Sequence, residues 1–131
     1  MKENSMKDTI LKFRFKDKAL MINAPVILEN EFKEFGLRSL PSLTEKSSNS
    51  LVFVTNSIEL LSFLNTQLIN IVPDSVFWIA YPKGTSTIKT DINRDTIRET
   101  AREYGLNTVS AVSVDNTWSA LRFRPIENGA K

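Results

Sequence analysis

Apolar residues come in short blocks along this chain, separated by polar stretches rich in turn-forming residues. Val76-Phe77-Trp78-Ile79-Ala80-Tyr81 has no polar face, the pattern of a central strand covered on both sides. Leu51-Val52-Phe53-Val54 reads as a second buried strand, and Ala19–Ala24, closed by Pro25, as a third. Leu11–Lys16 alternates apolar and basic residues, which predicts a half-buried strand. Helical spacing appears three times. Leu28, Phe32 and Phe35 form one stripe, stopped by Gly36. Leu60, Leu61, Leu64, Leu68 and Ile71 form the next, which Asn56 or Ser57 can cap and Pro73-Asp74 ends. Ile97, Ala101 and Tyr104 form the third, capped by Asn93 and ended by Gly105. Its charged outer face, Arg94 to Glu103, reads as a solvated surface.

Val109–Val114 is a further strand. Asp115-Asn116-Thr117 turns the chain, and Trp118–Arg124 returns with Leu121 and Phe123 on one face and Trp118, Ala120, Arg122 and Arg124 on the other. Residues 38–50, with Pro41 and a polar run from Thr44, read as a surface loop. Strand–helix alternation predicts one α/β domain over residues 1–131. The expected form is a mainly parallel sheet with helices on both faces, a three-layer sandwich, closed by an antiparallel C-terminal hairpin. A two-layer form with all helices on one face is the alternative. Residues 19–24, 51–55, 76–81 and 109–114 are expected as parallel neighbours.

Composition narrows the chemistry. The 131 residues are 41% hydrophobic and 24% charged, enough for one core without metal or disulfide staples. There is no cysteine and no histidine, which excludes thiolate nucleophiles, imidazole metal ligands and Ser-His-Asp triads. The net charge of +2 is low for a dedicated nucleic-acid binder, so nucleic acid is not the expected partner. The polar start Met1–Ser5 has no signal-like apolar region, and no run nears the ~20 residues of a membrane span. A cytoplasmic protein with no membrane partner is expected. The oligomeric state is not legible.

The polar residues that follow the central strand are the candidate site, because α/β sheets bind ligands where their strands end. Lys83-Gly84-Thr85-Ser86 is not a phosphate loop, since the lysine precedes the glycine. Lys83, the hydroxyls of Thr85 and Ser86 and free loop amides could still hold an anion. The bland reading is a structural turn. Asp91, Asp95 and Asp115 are candidate acids, and two carboxylates could hold Mg²⁺ beside a substrate phosphate. The bland readings are a carboxylate near a helix N-terminus for Asp91 and a hydrogen-bonded turn for Asp115. Trp118 could stack a ligand ring beside Arg122 and Arg124, or simply plug the sheet end. The dinucleotide fingerprint is missing, because the first strand–helix junction is Asn23-Ala24-Pro25-Val26. No cofactor and no resident metal is assigned.

Trp78, Tyr81, Pro82, Lys83, Ser86, Thr90, Asp91, Gly105, Leu106, Val114, Asp115, Trp118, Ser119, Ala120 and Leu121 together follow a W-x-x-Y-P-K-x-x-S, T-D, G-L, V-D-x-x-W-S-A-L pattern. This resembles the small bacterial family filed as domain of unknown function number three-thousand-and-fifty-two. Asn23-Ala24-Pro25 also looks like that family's early strand end. The resemblance covers the C-terminal two-fifths of the chain; the Arg122-Phe123-Arg124-Pro125 ending and Gly84-Thr85 depart from it. It implies a small intracellular bacterial protein and brings no catalytic residue or mechanism.

Three function classes follow. The first is a non-enzymatic binding or regulatory module that takes an anionic ligand or a protein partner at Lys83, Thr85, Ser86, Asp91, Asp115 and Trp118. The second is a small enzyme using Lys83 with Asp91 or Asp115, with or without Mg²⁺, on a phosphorylated or carboxylated substrate. The third is a nucleic-acid-binding domain using Arg122, Arg124 and the basic residues of the Lys12–Lys16 segment.

Overall fold

A computed structural model describes residues 6–126; the polar start read at Met1–Ser5 lies outside the described residues. In chain order the elements are α1 (Met6–Lys12), β1 (Leu20–Ile22), α2 (Val26–Lys33), β2 (Arg38–Leu40), β3 (Ser47–Phe53), α3 (Ser57–Thr66), β4 (Ile71–Pro82), α4 (Arg94–Glu103), β5 (Leu106–Ser113) and β6 (Trp118–Pro125). A 3-10 turn at Leu68–Asn70 joins α3 to β4. The six strands form one mixed sheet in the order β2-β1-β3-β4-β6-β5. Only β6 runs against the others.

Alternate residues of each strand feed two separate cores. On one face Ile22, Val52, Phe77, Ile79, Leu121 and Phe123 meet Leu60, Phe63 and Leu64 of α3 and Ile97 and Ala101 of α4. On the other, Met21, Leu51, Phe53, Trp78, Ala80 and Trp118 meet Phe13 and the α2 residues Leu28 and Phe32. The fold is therefore the three-layer α/β sandwich with an antiparallel C-terminal hairpin, and β4 lies inside the sheet with both faces covered. Helix capping follows the sequence. Asn56 Oδ1 accepts from Glu59 N–H at 2.9 Å. Asn93 and Thr96 form a reciprocal capping box at α4.

Five expectations are corrected. Leu11–Lys16 is not a strand: α1 occupies it up to Lys12, and Arg14 turns the chain at φ 59. Phe13 is drawn inward instead, because its carbonyl accepts the buried Trp78 Nε1–H at 2.9 Å and its ring meets the indole edge-on at 5.1 Å. The 38–50 loop contains β2 and the start of β3. That start is polar: Ser47 and Ser50 hydroxyls pair at 2.6 Å, and Asn49 Oδ1 accepts from Lys16 N–H at 2.8 Å. These buried hydroxyls and amide satisfy one another, so hydropathy does not reveal the strand. Pro73-Asp74 does not end a helix but sits in β4, where the pairing with β3 shifts and Asp74 takes φ 62. Within α3 the buried stripe is Leu60, Phe63 and Leu64, whereas Leu61 is 41% exposed.

The strand order is the fifth correction. β6, not β5, lies beside β4, with Ile79 opposite Leu121 and Ala80 opposite Ala120. β6 buries apolar residues on both faces, Trp118 and Ala120 on one and Leu121 and Phe123 on the other, while β5 is exposed or half-buried along most of its length. The strand that needs cover on both sides takes the inner place, and β5 becomes the edge.

Leu64 is buried between α3 and the sheet. Leu64→Ala should lower unfolding stability by about 2–5 kcal/mol, the range for a large-to-small core change. Urea denaturation checks this through the shift in midpoint at unchanged slope; a loss within surface-substitution range would remove α3 from the core.

Candidate functional site

β1, β2, β3, β4 and β5 all point one way, so their carboxyl ends share one rim. The connection after β1 runs through α2 to β2 on one side of β1, and the chain then returns to β3 on the other side. The switch point lies between β1 and β3, the place where open α/β sheets bind ligands. The return from β2 to β3 has no helix. Residues 41–46 cross as a strap, pinned to the end of α3. Leu43 N–H donates to Gln67 Oε1 at 2.6 Å, Asn70 Nδ2 donates to the Leu43 carbonyl at 2.9 Å, and Lys46 Nζ donates to the Ile69 carbonyl at 2.7 Å.

Between this strap and α3 a cleft of about 330 Å³ opens at the switch point. Ile22, Val52, Val54 and Phe63 supply its apolar lining, and Pro41 and Ile58 also border it. Ile58 is 77% exposed, an uncovered apolar side chain at the entrance. The polar groups are Asn23, Glu59, Ser62 and Gln67. Asn23 takes φ 61, tolerable for asparagine. Its amide reaches the Phe53 carbonyl at 3.1 Å and Glu59 Oε1 at 3.3 Å. The same Oε1 accepts from Thr55 N–H at 2.8 Å and Thr55 Oγ1 at 2.9 Å. Three donors thus fix one carboxylate oxygen. Oε2 accepts no hydrogen bond from the described residues. Glu59 lies in the first turn of α3, where negative charge is favoured.

The sequence-predicted residues lie on the same rim, farther along the sheet. Lys83 N–H donates to the Thr117 carbonyl at 2.7 Å, and Lys83 Nζ to Ser113 Oγ at 2.6 Å. Asp115 Oδ1 accepts from the N–H groups of Thr117 and Trp118, both at 2.8 Å. Trp118 is buried and meets Phe53 edge-on at 5.2 Å. Ser86 Oγ accepts from Ile88 N–H at 3.3 Å, and Thr85 is exposed. Lys83, Asp115 and Trp118 are thus brought together at the β4–β6 end. Asp91 is not with them: its two oxygens take Ser57 N–H at 2.8 Å and Ser57 Oγ at 2.6 Å, at the start of α3. Neither Asp91 nor Asp115 is within ion-pair reach of Lys83, and among the described residues no group of three or more acidic residues could hold a metal ion. Most of these side chains fasten turns. Sequence reasoning missed Glu59, Asn23 and Gln67; the signal available was Asn23-Ala24-Pro25 at a strand end, with Glu59 three residues after the Asn56 cap.

A second cavity of about 190 Å³, lined by Ile71, Phe77, Tyr104, Leu106 and Phe123, lies at the opposite end of the sheet. Among the described residues no helix is long and apolar enough to cross a membrane.

Comparison with known proteins finds similarity of fold. No family model matches the chain, and no curated protein matches it. Among solved structures, "The structure of LepI complex with SAM" aligns at TM-score 0.51 and 10% identity, covering 92% of this chain and 39% of that one. "A Pericyclic Reaction enzyme" aligns at TM-score 0.48 and 11% identity, covering 92% of this chain and 40% of that one. The chain spans about two-fifths of the length of these structures.

Asp91 carries a pH prediction. The Ser57 hydroxyl, and then its backbone N–H, hold the Asp91 carboxyl below its ordinary value of 3.8. A depressed folded-state value contributes stability above the unfolded-state value, and this is lost as pH falls through the folded one. Asp91→Asn should therefore be less stable than wild type at pH 7, with the gap closing below pH 3.8. Urea midpoints at both pH values check this; a gap that persists unchanged in acid would mean that the charge on Asp91 contributes nothing.

Proposed function

We propose that this protein is a small-ligand-binding module and that its ligand lies in the cleft between the 41–46 strap and α3. The observation that carries the reading is the coincidence of three features at one place. The cleft sits at the topological switch point, its lining is apolar, and one oxygen of its carboxylate is fixed by three donors while the other is left open. A pocket of this size with a few fixed polar groups suits a small molecule. Glu59 disfavours an anion there. The ligand is a compact apolar or aromatic body carrying hydroxyl or amine donors, which Glu59 Oε2 accepts, and Ser62 and Gln67 complete the polar set. Among the described residues Glu59 is the one ionisable side chain lining the cleft. Binding is the reading we favour, because Glu59 is held by three donors and no paired acid and base faces the cleft among the described residues.

A second reading places an anionic ligand or acidic partner on the 82–91 loop. Lys83 favours it, because among the described residues its ammonium makes no ion pair and its hydrogen bond goes to a neutral hydroxyl. The resemblance of Trp78–Leu121 to domain of unknown function number three-thousand-and-fifty-two fits either reading, and we propose membership of that family and a cytoplasmic location on the same sequence grounds. The enzyme alternative keeps one argument, the likeness of fold to LepI, of which a complex with SAM is known. S-adenosylmethionine, a cation with ribose hydroxyls and an aromatic base, has the chemistry the cleft accepts, although Pro25 removes an N–H from the junction that glycine-rich loops use.

Thermal unfolding against a metabolite panel that includes nucleosides, S-adenosylmethionine and S-adenosylhomocysteine tests the proposal. A ligand at a hundred times its dissociation constant adds about 2.7 kcal/mol to stability. The expected outcome is a raised melting temperature with at least one hydroxyl- or amine-bearing compound, abolished in Glu59→Gln and kept in Lys83→Ala. A ligand response lost in Lys83→Ala but kept in Glu59→Gln would transfer the function to the loop. A panel without any response would sink both readings.

A further inference from the structure

On the face that carries α1 and α2, three arginines gather with one carboxylate among them. The Phe13 carbonyl accepts the Trp78 indole N–H, which anchors the turn that follows α1 to β4. The next residue, Arg14, is exposed on that turn. Arg122 stands directly opposite Trp78 in the β4–β6 ladder, so both side chains project from this same face. Arg124, two residues on, projects likewise and pairs with Asp74 at 3.3 Å. Arg122 is half-buried, and its Nε is buried without a hydrogen-bond partner among the described residues. Burial, and then the charges of Arg124 and Arg14, lower its pKa.

A half-buried guanidinium beside two like charges is an unfavourable arrangement for the protein alone. An oxyanion reverses it. Its oxygens can be matched two at a time by a planar guanidinium. Arg124–Asp74 is the one ion pair of these arginines found among the described residues, so the cluster keeps an excess of positive charge that favours an anion with several acceptor oxygens, such as a phosphate. Arg124 also borders a groove of about 440 Å³ with Asn107, Val109 and Ile126. Val109 and Ile126 are exposed apolar side chains there, so the group bearing the phosphate has a surface to lie on.

We propose that Arg14, Arg122 and Arg124 form a phosphate-binding site, separate from the switch-point cleft, that takes a phosphate carried on an organic group. Two sources share this chemistry, a small phosphate monoester and the backbone of a nucleic-acid strand. The test compares wild type with Arg14→Asn, Arg122→Gln and Glu59→Gln at constant ionic strength. Thermal unfolding is followed with inorganic phosphate and with a nucleoside monophosphate, and anisotropy with a labelled single-stranded oligonucleotide. Wild type and Glu59→Gln should be stabilised by the phosphates, while each arginine variant should bind about tenfold more weakly, the loss of one charge-assisted contact. Arg14→Asn keeps the readout clean should Arg122→Gln fail to fold, because asparagine tolerates the positive φ of the turn. Preference for the oligonucleotide, with affinity falling steeply as salt rises, identifies a nucleic-acid backbone; preference for the monophosphate identifies a small ester. The proposal is overturned if wild type responds to none of the three probes, or if Arg14→Asn responds as wild type does.

Discussion

Val76–Tyr81 offers apolar side chains to both sides, so this strand is stable only between two layers. Much else depends on that constraint. Phe77 and Ile79 require α3 and α4 on one face. Trp78 and Ala80 require Phe13 and α2 on the other. Trp78 adds a polar demand, since a buried indole N–H without an acceptor is costly. The Phe13 carbonyl meets it, which fixes where the N-terminal segment crosses the sheet. It also carries Arg14 towards Arg122, because Arg122 is the cross-strand partner of Trp78. One buried side chain thus ties the hydrophobic layers to a cluster of surface charge.

The layers were legible in the sequence because they rest on local patterns. Caps at Asn56 and Asn93, glycines at 36 and 105 and the two-faced run at β4 each state their element directly. What was illegible depends on distant partners. Phe13 and Phe15 alternate with basic residues as a strand would, and only Trp78 explains why the backbone turns there. Ser47, Asn49 and Ser50 look like loop residues until their mutual hydrogen bonds and Lys16 are in place. The inner position of β6 follows from comparing the buried residues on its two faces with the exposed pattern of β5. The candidate site divides the same way. Lys83, Asp115 and Trp118 announce a strand end, and there they meet. Glu59 looks like an ordinary first-turn acid of a helix; its role at the cleft arises from Asn23 and Thr55, which the sheet topology brings to it.

The residues that give the chain its recognisable pattern serve mainly to hold the rim in shape. Asp115 closes the β5–β6 turn with one oxygen, Asp91 binds the first turn of α3, and Trp118 packs against Phe53. Asp91 and Glu59 therefore act on the same helix start from two directions, one through Ser57 and one through Thr55 and Asn23. The consequence is positional stability for α3, which forms one wall of the cleft. The other wall is the strap, pinned through Gln67 and Asn70. A cleft whose two walls are both held by hydrogen bonds keeps its shape before a ligand arrives, which lowers the ordering cost of binding.

The two proposed sites also fit together in their electrostatics. In dinucleotide-binding sheets the phosphate sits at the helix that follows the first strand, using free N–H groups and a glycine-rich turn. Here that junction is closed to it. Pro25 has no N–H, Val26 and Ile27 put exposed apolar side chains at the start of α2, and Glu59 faces the neighbouring cleft. An anion gains little at this rim near β1. A concentration of positive charge lies instead on the α1 face, where Arg122 is half-buried and Arg14 is exposed. On the two proposals, the usual ligand position of the fold takes a neutral or cationic group, and phosphate is recognised on the other face of the sheet.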